Sequence, residues 1–415
     1  MKHKLIAGLD IGSTAVRLVL GQLIATENGE KLQVVGAVSG PANGVSKGVI
    51  TSIEDATSSI SACLEKAERL LGVSVSEVYI GINGPNLKCE RSKGVVGVSR
   101  SDSEINNEDV VRVNQAAEAL TVPQHYSILH VVPLMYKVDN QEFIKNPIGM
   151  TGIRLEAEVL IVQSLSSQIK NLTRSIERAG LAINDLVFSP LAAATVVVDS
   201  TQKELGVAVV NLGSSTTSVA VFEEGEVLHT AVLPIGSAHI TNDIAIGLRC
   251  SLVLAEKIKV RYGSAKAENF NKKDEIDISD LLAEENLNED NSAISRHYVA
   301  EIIQARVEEI LEKVDAELKK IQRSGMLPAG VVLIGGGAKL GDLVEIAKKC
   351  LRLPVSLGGN RQVPTVNDKV NDLEYLTALG LVAWGEQQQR MVGPGTFLPG
   401  NIGGWLKKIV GWIKP

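Results

Sequence analysis

Two stretches of the chain carry the same alternation of apolar and polar positions. Leu5 to Gly21 (LIAGLDIGSTAVRLVLG) and Gly206 to Phe222 (GVAVVNLGSSTTSVAVF) each read as an apolar run, a short polar turn and a second apolar run. Laid over each other, Leu9-Asp10-Ile11-Gly12-Ser13-Thr14 faces Val210-Asn211-Leu212-Gly213-Ser214-Ser215. The pattern predicts a strand, a tight turn and a strand in both places, with glycine where the backbone bends and small hydroxyl residues beside it. Turns of this kind present amide and hydroxyl donors that can hold phosphate oxygens, and an adjacent carboxylate can hold a hydrated Mg2+. A single hairpin of this composition is commonplace. Two of them, near the starts of the two halves of one chain, predict a duplicated fold with phosphate-binding hairpins facing each other across a cleft.

The remaining periodicities fill in the two halves. Lys31 to Val38 alternates as a third strand, and Val49 to Leu71 has a helical period with Ile53, Ile60, Leu64 and Leu71 on one face. Val75 to Ile82 is a short strand closed by Asn83-Gly84-Pro85. The texture then changes. Short β-like runs at Gly94–Val98, Ser127–Val132 and Glu156–Val162 surround one helical stretch, Asn107–Leu120, whose Glu108 and Asp109 suit a helix start. Residues 84–163 therefore read as a small α+β subdomain inserted into the first domain, the alternative being a continuation of the same sheet. A helix at Ser166–Ala179, stopped by Gly180, leads back toward the second hairpin.

Beyond that hairpin, Asn242–Tyr262 is helical, with Gly247 as an interruption. Ser264–Ser292 is polar and acidic and predicts a mobile loop or weakly held edge. Ile294–Ile321 reads as one amphipathic helix, with Ile302, Ala305, Ile310, Val314 and Leu318 facing inward. Ala329–Ile334 is a buried strand that runs into Gly335-Gly336-Gly337, and Asp342–Leu351 is the next helix. Neither standard phosphate fingerprint follows that strand. The triple glycine signals close backbone approach, either to a purine with its ribose or to a tightly packed helix.

Gln387–Ile402 has two glycine-proline pairs and no period, and reads as a linker. In residues 403–415, Trp405, Leu406, Ile409, Val410, Trp412 and Ile413 fall within roughly 160° of a helix, with Lys407, Lys408 and Lys414 on the other side. Two tryptophans and a lysine face suit the interface of an anionic bilayer; docking on the chain's own domain is the alternative. So short a helix binds weakly alone and far better when several copies are joined.

Composition sets the remaining bounds. At 415 residues the chain exceeds one compact core, so two or more domains are expected. A net charge of −6 leaves no basic excess for neutralising phosphates and argues against nucleic-acid binding. The four cysteines are widely spaced and read as free thiols of a reducing compartment; the six histidines show no ligand spacing. The first apolar run meets Asp10 too soon for a signal peptide, and no run reaches the ~18 residues of a membrane span. These features place the chain in the cytoplasm, or at a membrane from its cytoplasmic side.

With these motifs assembled, the chain resembles the actin-fold ATPase superfamily and, within it, the FtsA family of bacterial cell-division proteins. The two hairpins resemble the superfamily's two phosphate loops, and Val331 to Ala338 (VVLIGGGA) its adenosine motif. Pro234–Gly263 and Pro147–Glu156 (PIGMTGIRLE) are similar to FtsA stretches in particular, and the tail has the composition of that family's membrane-targeting helix. The resemblance implies an α/β, actin-like (ribonuclease H-like) two-domain fold with an inserted α+β subdomain and a C-terminal amphipathic helix. It divides the chain into residues 1–83 with 164–202, the insert 84–163, residues 203–236 with 329–386, residues 237–328, a linker 387–402 and the helix 403–415.

The same resemblance implies ATP and Mg2+ in the cleft. Gly12, Ser13 and Thr14 would hold phosphate from one side, and Gly213, Ser214, Ser215 and Thr216 from the other. Gly335, Gly336 and Gly337 would pass the adenosine, Glu256 and Lys259 would reach its ribose or base, and Asp10 would hold Mg2+ through water. Implied partners are the C-terminal peptide of the tubulin-like division protein FtsZ at residues 237–328, further copies of the chain in a filament, an anionic membrane and later division proteins. The superfamily's second loop usually opens with Asp, whereas Asn211 stands here. An amide still bonds a metal-bound water but brings no charge, so ATP turnover is expected to be slow or absent. The rival readings are an actin-like pilus-assembly scaffold (PilM) and a small-metabolite kinase, for which no catalytic base stands out.

Overall fold

The structure, a computed structural model, describes residues 5–26, 29–99, 102–119, 123–285, 293–365 and 368–391. The first hairpin is β1 (Leu5–Ile11) and β2 (Ala15–Thr26), antiparallel with Asp10 opposite Arg17; β3 (Gly29–Pro41) extends it. A ribbon of β4 (Val45–Ser46) and β5 (Val49–Ile50) precedes α1 (Ile53–Leu71), and β6 (Glu77–Ile82) joins β1 in parallel. The helix starts later than its period suggested because Ser52 caps it, its hydroxyl accepting from the Asp55 amide. Its buried stripe is Ala56, Ile60, Cys63 and Ala67, with Ile53, Leu64 and Leu71 half-buried at the rim.

The chain then makes a separate sheet from β7 (Lys88–Gly97), β8 (Tyr126–Val138), β9 (Gln141–Ile144) and β10 (Arg154–Leu165), in the order β7-β10-β8-β9. The helix α2 (Asn107–Glu118) covers it around a core that includes Val113, Tyr136, Leu155 and Val159. This insert is its own sheet and not an extension of the first. Its edge is nonetheless bonded onward: the Arg91 guanidinium donates to the Leu228 carbonyl at 2.9 Å, and the Lys145 ammonium to the Glu224 carbonyl at 2.6 Å.

Returning to the first lobe, α3 (Ser166–Arg178) leads to β11 (Ala182–Phe188), which completes the sheet β11-β6-β1-β2-β3. Then come α4 (Ser189–Val197) and α5 (Ser200–Leu205), and the second hairpin, β12 (Val207–Leu212) and β13 (Thr217–Glu223), with β14 (Glu226–Leu233). The second lobe continues through α6 (Ser237–Leu248), α7 (Leu252–Tyr262), β15 (Glu275–Asp277), α8 (Ser279–Glu284), β16 (Ala293–Ser295) and α9 (Arg296–Lys320). Next are β17 (Gly330–Ile334), α10 (Leu343–Leu351), β18 (Val355–Leu357) and α11 (Leu376–Met391). Its sheet runs β14-β13-β12-β17-β18. The hairpins close with the same bond: Gly12 N–H to the Ala15 carbonyl and Gly213 N–H to the Thr216 carbonyl, both at 3.0 Å. The repeat read from the sequence is thus a repeat of backbone geometry.

Several expectations need correction. The break between α6 and α7 falls at Arg249, which is left-handed with φ 55°, and Ser251 caps the next helix; Gly247 stays helical and makes room for Ile302. The polar segment after Ser264 is folded through residue 285: β15 pairs with β16, and Ile276, Ile278, Leu281 and Leu282 are buried. Those four apolar residues suffice to pin an otherwise acidic stretch. On α9 the buried face is Ile303, Val307, Ile310, Leu311, Val314 and Leu318, and Ala305 is exposed. The helix α11 runs through Gln387 to Met391, with Glu386 paired to Arg390, so the linker does not begin at 387. The rest of the linker and the terminal helix, residues 403–415, lie outside the described residues.

The sequence pattern shows no helical period over α4 or α11 because both are apolar on nearly every side. They are central. Both belong to the largest core, packed among residues of the two sheets, and α11 lies on β1, β2 and β6. The expectation set 329–386 together in the second lobe, whereas α11 rests on the first lobe's sheet. The two helices cross in backbone contact, since a Cβ on Gly380 would fall 2.0 Å from the Ala192 carbonyl oxygen.

Candidate functional site

Antiparallel hairpins with short turns leave their tip amides pointing away from the sheet, and the two lobes turn both tips toward one cleft of about 880 Å³. It is lined by Asp10, Gly12, Ser13 and Thr14 from the first hairpin and by Asn211, Gly213, Ser214, Ser215 and Thr216 from the second. Glu256 and Lys259 of α7 and the triple glycine Gly335, Gly336 and Gly337 complete it. All the cleft residues singled out in the sequence are therefore brought together. The tail residues Trp405 to Lys414 lie outside the described residues.

Glycine is required here by space. A Cβ on Gly335, whose φ is 89°, would sit 2.3 Å from Asn211 Oδ1, and one on Gly337 would sit 2.6 Å from Leu212 Cγ. Both serve the packing of the β17 turn onto β12. Gly336 differs: it is exposed, and beyond its chain neighbours no atom of the described residues lies within 4 Å of its absent Cβ. Gly335 and Gly337 thus fit the reading of tight packing, while of the three only the middle glycine leaves open space beside it.

Several lining residues were not foreseen. Arg17 lies opposite Asp10 on the first hairpin, its guanidinium beside Gly12, and it pairs with Glu374 just ahead of α11. The Glu374 carboxylate also receives the Lys339 ammonium at 3.0 Å, and Lys339 pairs with Asp372 at 2.7 Å. Burial works against the Glu374 charge, but the bonds from Arg17 and Lys339 hold its carboxyl below the ordinary range. Asn83, in the turn after β6, reaches across the cleft to Thr216 Oγ1 at 3.5 Å. Ser13 Oγ accepts from the Gly48 amide at 2.9 Å, which ties the β4–β5 ribbon to the first turn. The position of Arg17 could have been found from the hairpin register. Glu374, Lys339 and Thr377 come from distant segments, with no local signal.

Burial is the larger influence on Asp10 and pushes its carboxyl above 3.8, while Arg17 opposes the shift. Asn211, its counterpart, is uncharged and donates to Thr377 Oγ1 at 3.2 Å. Among the described residues no group of three His, Cys, Asp or Glu could form a metal centre. Lys259 is turned inward, bonded to Glu256 at 2.6 Å and Thr241 Oγ1 at 2.8 Å. Taken together, the cleft has glycine turns, hydroxyls and, among the described residues, the cations Arg17, Lys257, Lys259 and Lys339, in a volume suited to a nucleotide.

The family model "Cell division protein FtsA" matches residues 208–380, and "SHS2 domain inserted in FTSA" matches residues 84–163. The chain is 36% identical over 386 residues to the cell division protein FtsA of Pseudomonas aeruginosa, covering 93% of this chain and 90% of that protein. Among solved structures, the PilM-PilN type IV pilus biogenesis complex superposes with a TM-score of 0.66 at 15% identity, over 92% of this chain and 98% of that chain. MreB 5 of Spiroplasma citri bound to AMPPNP superposes at 0.57 with 12% identity, over 95% and 99%. The structural likenesses establish the actin-like fold.

Proposed function

The chain belongs to the FtsA family of cell-division proteins, and from that premise we propose that it is an ATP-binding adaptor that links the division ring to the membrane. The observation that carries the nucleotide half of this reading is the convergence of both hairpins and Gly336 on one cleft. Phosphates lying between the hairpins would contact both lobes at once, so ATP would favour the closed arrangement by its differential contacts. Gly12, Ser13, Thr14 and Arg17 would bind from the first lobe, and Gly213, Ser214, Ser215 and Thr216 from the second. Mg2+ bound with the nucleotide would offset phosphate charge, with Asp10 as the residue to hold it through water. No second carboxylate stands at 211, so the nucleotide acts chiefly as a structural ligand and is turned over slowly if at all.

In this account the closed form assembles into filaments, and residues 237–328 bind the FtsZ C-terminal peptide. The amphipathic residues 403–415 reach an anionic membrane from its cytoplasmic face at the division site, where later division proteins are recruited. Joined copies would hold the membrane far more firmly than one. Among the described residues no helix is long and apolar enough to cross a bilayer, which is compatible with a peripheral attachment. Co-sedimentation with anionic liposomes tests this half. The intact chain should pellet, more strongly with ATP, and a chain ending at Met391 should stay in solution. Equal behaviour of the two would overturn the anchoring role.

A further inference from the structure

The ionic chain at the floor of the cleft carries a consequence for ligand choice that rests on the nucleotide reading. Arg17 comes from the first lobe, Lys339 from the turn that begins with the triple glycine of the second, and Glu374 lies between them. The Arg17 side chain is only 13% exposed, its Nε is buried with no acceptor among the described residues, and a second guanidinium nitrogen, Nη1, lies 3.6 Å from where a Gly12 Cβ would stand. Arg17 is thus a sheltered cation against the first glycine turn, and its present partner is a carboxylate of its own chain.

The duplication makes this position singular. Asp10 faces Arg17 across the first hairpin, and Asn211 faces Ser218 across the second. The counterpart of Arg17 is therefore a neutral, fully buried serine. A phosphate at the hairpin tips finds a guanidinium beside one turn and none at the matching place of the other. Whatever holds that guanidinium beforehand bears directly on how well an anion can bind.

We infer that Glu374 is a specificity-determining residue of the cleft, an internal anion that competes with ligand phosphates for Arg17 and Lys339. A nucleotide taking those cations must displace the carboxylate or share them with it. A nucleoside without phosphates makes no such demand. Among anionic ligands the arrangement disfavours those of low charge, since a polyphosphate offers several charge-assisted bonds in exchange for those lost and a single anion offers few. Asp372 keeps Lys339 paired after the exchange, so the second cation is not stranded.

The test is a titration of the full chain with ATP and, separately, with adenosine. Glu374→Gln should bind ATP about five- to tenfold more tightly, the size expected for removing one competing charge-assisted bond, and bind adenosine as the wild type does. In the Arg17→Gln background the same change should bring a clearly smaller gain, because Lys339 is then the one cation of the pair left to be freed. Glu374→Asp, which keeps the charge on a shorter arm, should give a smaller gain and serves if Glu374→Gln unfolds. Unchanged or weaker ATP binding by both Glu374 variants would overturn the competition. An equal gain without Arg17 would also overturn it, because the carboxylate would then act only through the general field of the cleft. If the wild type binds neither ATP nor adenosine, the nucleotide reading itself fails.

Discussion

The side-chain amide of Asn211 donates to Thr377 Oγ1, so the end of β12 is tied to the first turn of α11. Three residues earlier Glu374 takes the Arg17 guanidinium from the other hairpin. The start of α11 is therefore bonded to both phosphate-type hairpins, and the helix itself lies on the first sheet in contact with α4. A change in the separation of the hairpins must be felt at this helix start, because the bonds on its two sides come from different lobes.

Asn211→Asp places a second carboxylate in the cleft and reverses the bond to Thr377, whose hydroxyl would then donate to the carboxylate. ATP binding should then depend more steeply on Mg2+: affinity in excess EDTA falls at least about tenfold below wild type through repulsion from the phosphates, and Mg2+ restores it. Titration with a fluorescent ATP analogue at a series of Mg2+ concentrations checks this. Equal Mg2+ dependence of the two proteins would show that position 211 does not face the phosphates.

Asp10 predicts a pH-dependent trade between stability and binding. Burial holds its carboxyl above 3.8, so the folded chain binds more protons than the unfolded one between 3.8 and the raised value. Stability from this group falls as pH rises through that window, and above it the cost is constant. Asp10→Asn should therefore melt a few degrees higher at pH 7, with the difference vanishing as pH falls toward 3.8, while Mg2+-assisted ATP binding weakens. Thermal melts across pH 4–8 read the first effect. A lower melting temperature at pH 7 would contradict the burial argument.

The crossing of α4 and α11 admits no side chain at Gly380. Its Cβ would stand 2.0 Å from the Ala192 carbonyl oxygen and 2.4 Å from the carbon, which is backbone that cannot turn aside. Gly380→Ala should cost on the order of 2–4 kcal/mol, at or above the upper end of ordinary overpacking, measured by urea unfolding. A change below about 0.5 kcal/mol would mean that the helices do not touch there.

How much of this was legible before the structure depends on the range of the interaction. The hairpins were legible because their alternation and their turn glycines are local, and the repeat doubled the signal. The buried face of α9 was mostly legible, but Ala305 was misplaced because a small apolar residue fits either side of a helix. The helices α4 and α11 carry no helical signature in the sequence, since burial on all sides erases periodicity. The acidic segment after Ser264 was misread because composition outweighed four well-placed aliphatic residues, Ile276, Ile278, Leu281 and Leu282. Within the cleft, Arg17 was recoverable from register, whereas Glu374 and Lys339 are joined to it only by tertiary structure.

The most direct test is calorimetric titration of ATP into the chain and into its Gly336→Val variant. Position 336 is exposed with open space about it, so the variant should fold and melt like the wild type, while its side chain projects into the cleft. The wild type should bind ATP saturably and one-to-one, and the variant at least about tenfold more weakly, from lost contact and steric exclusion. Equal affinity in the two, or no binding by the wild type, would contradict a nucleotide seated between the hairpins and the glycine turn.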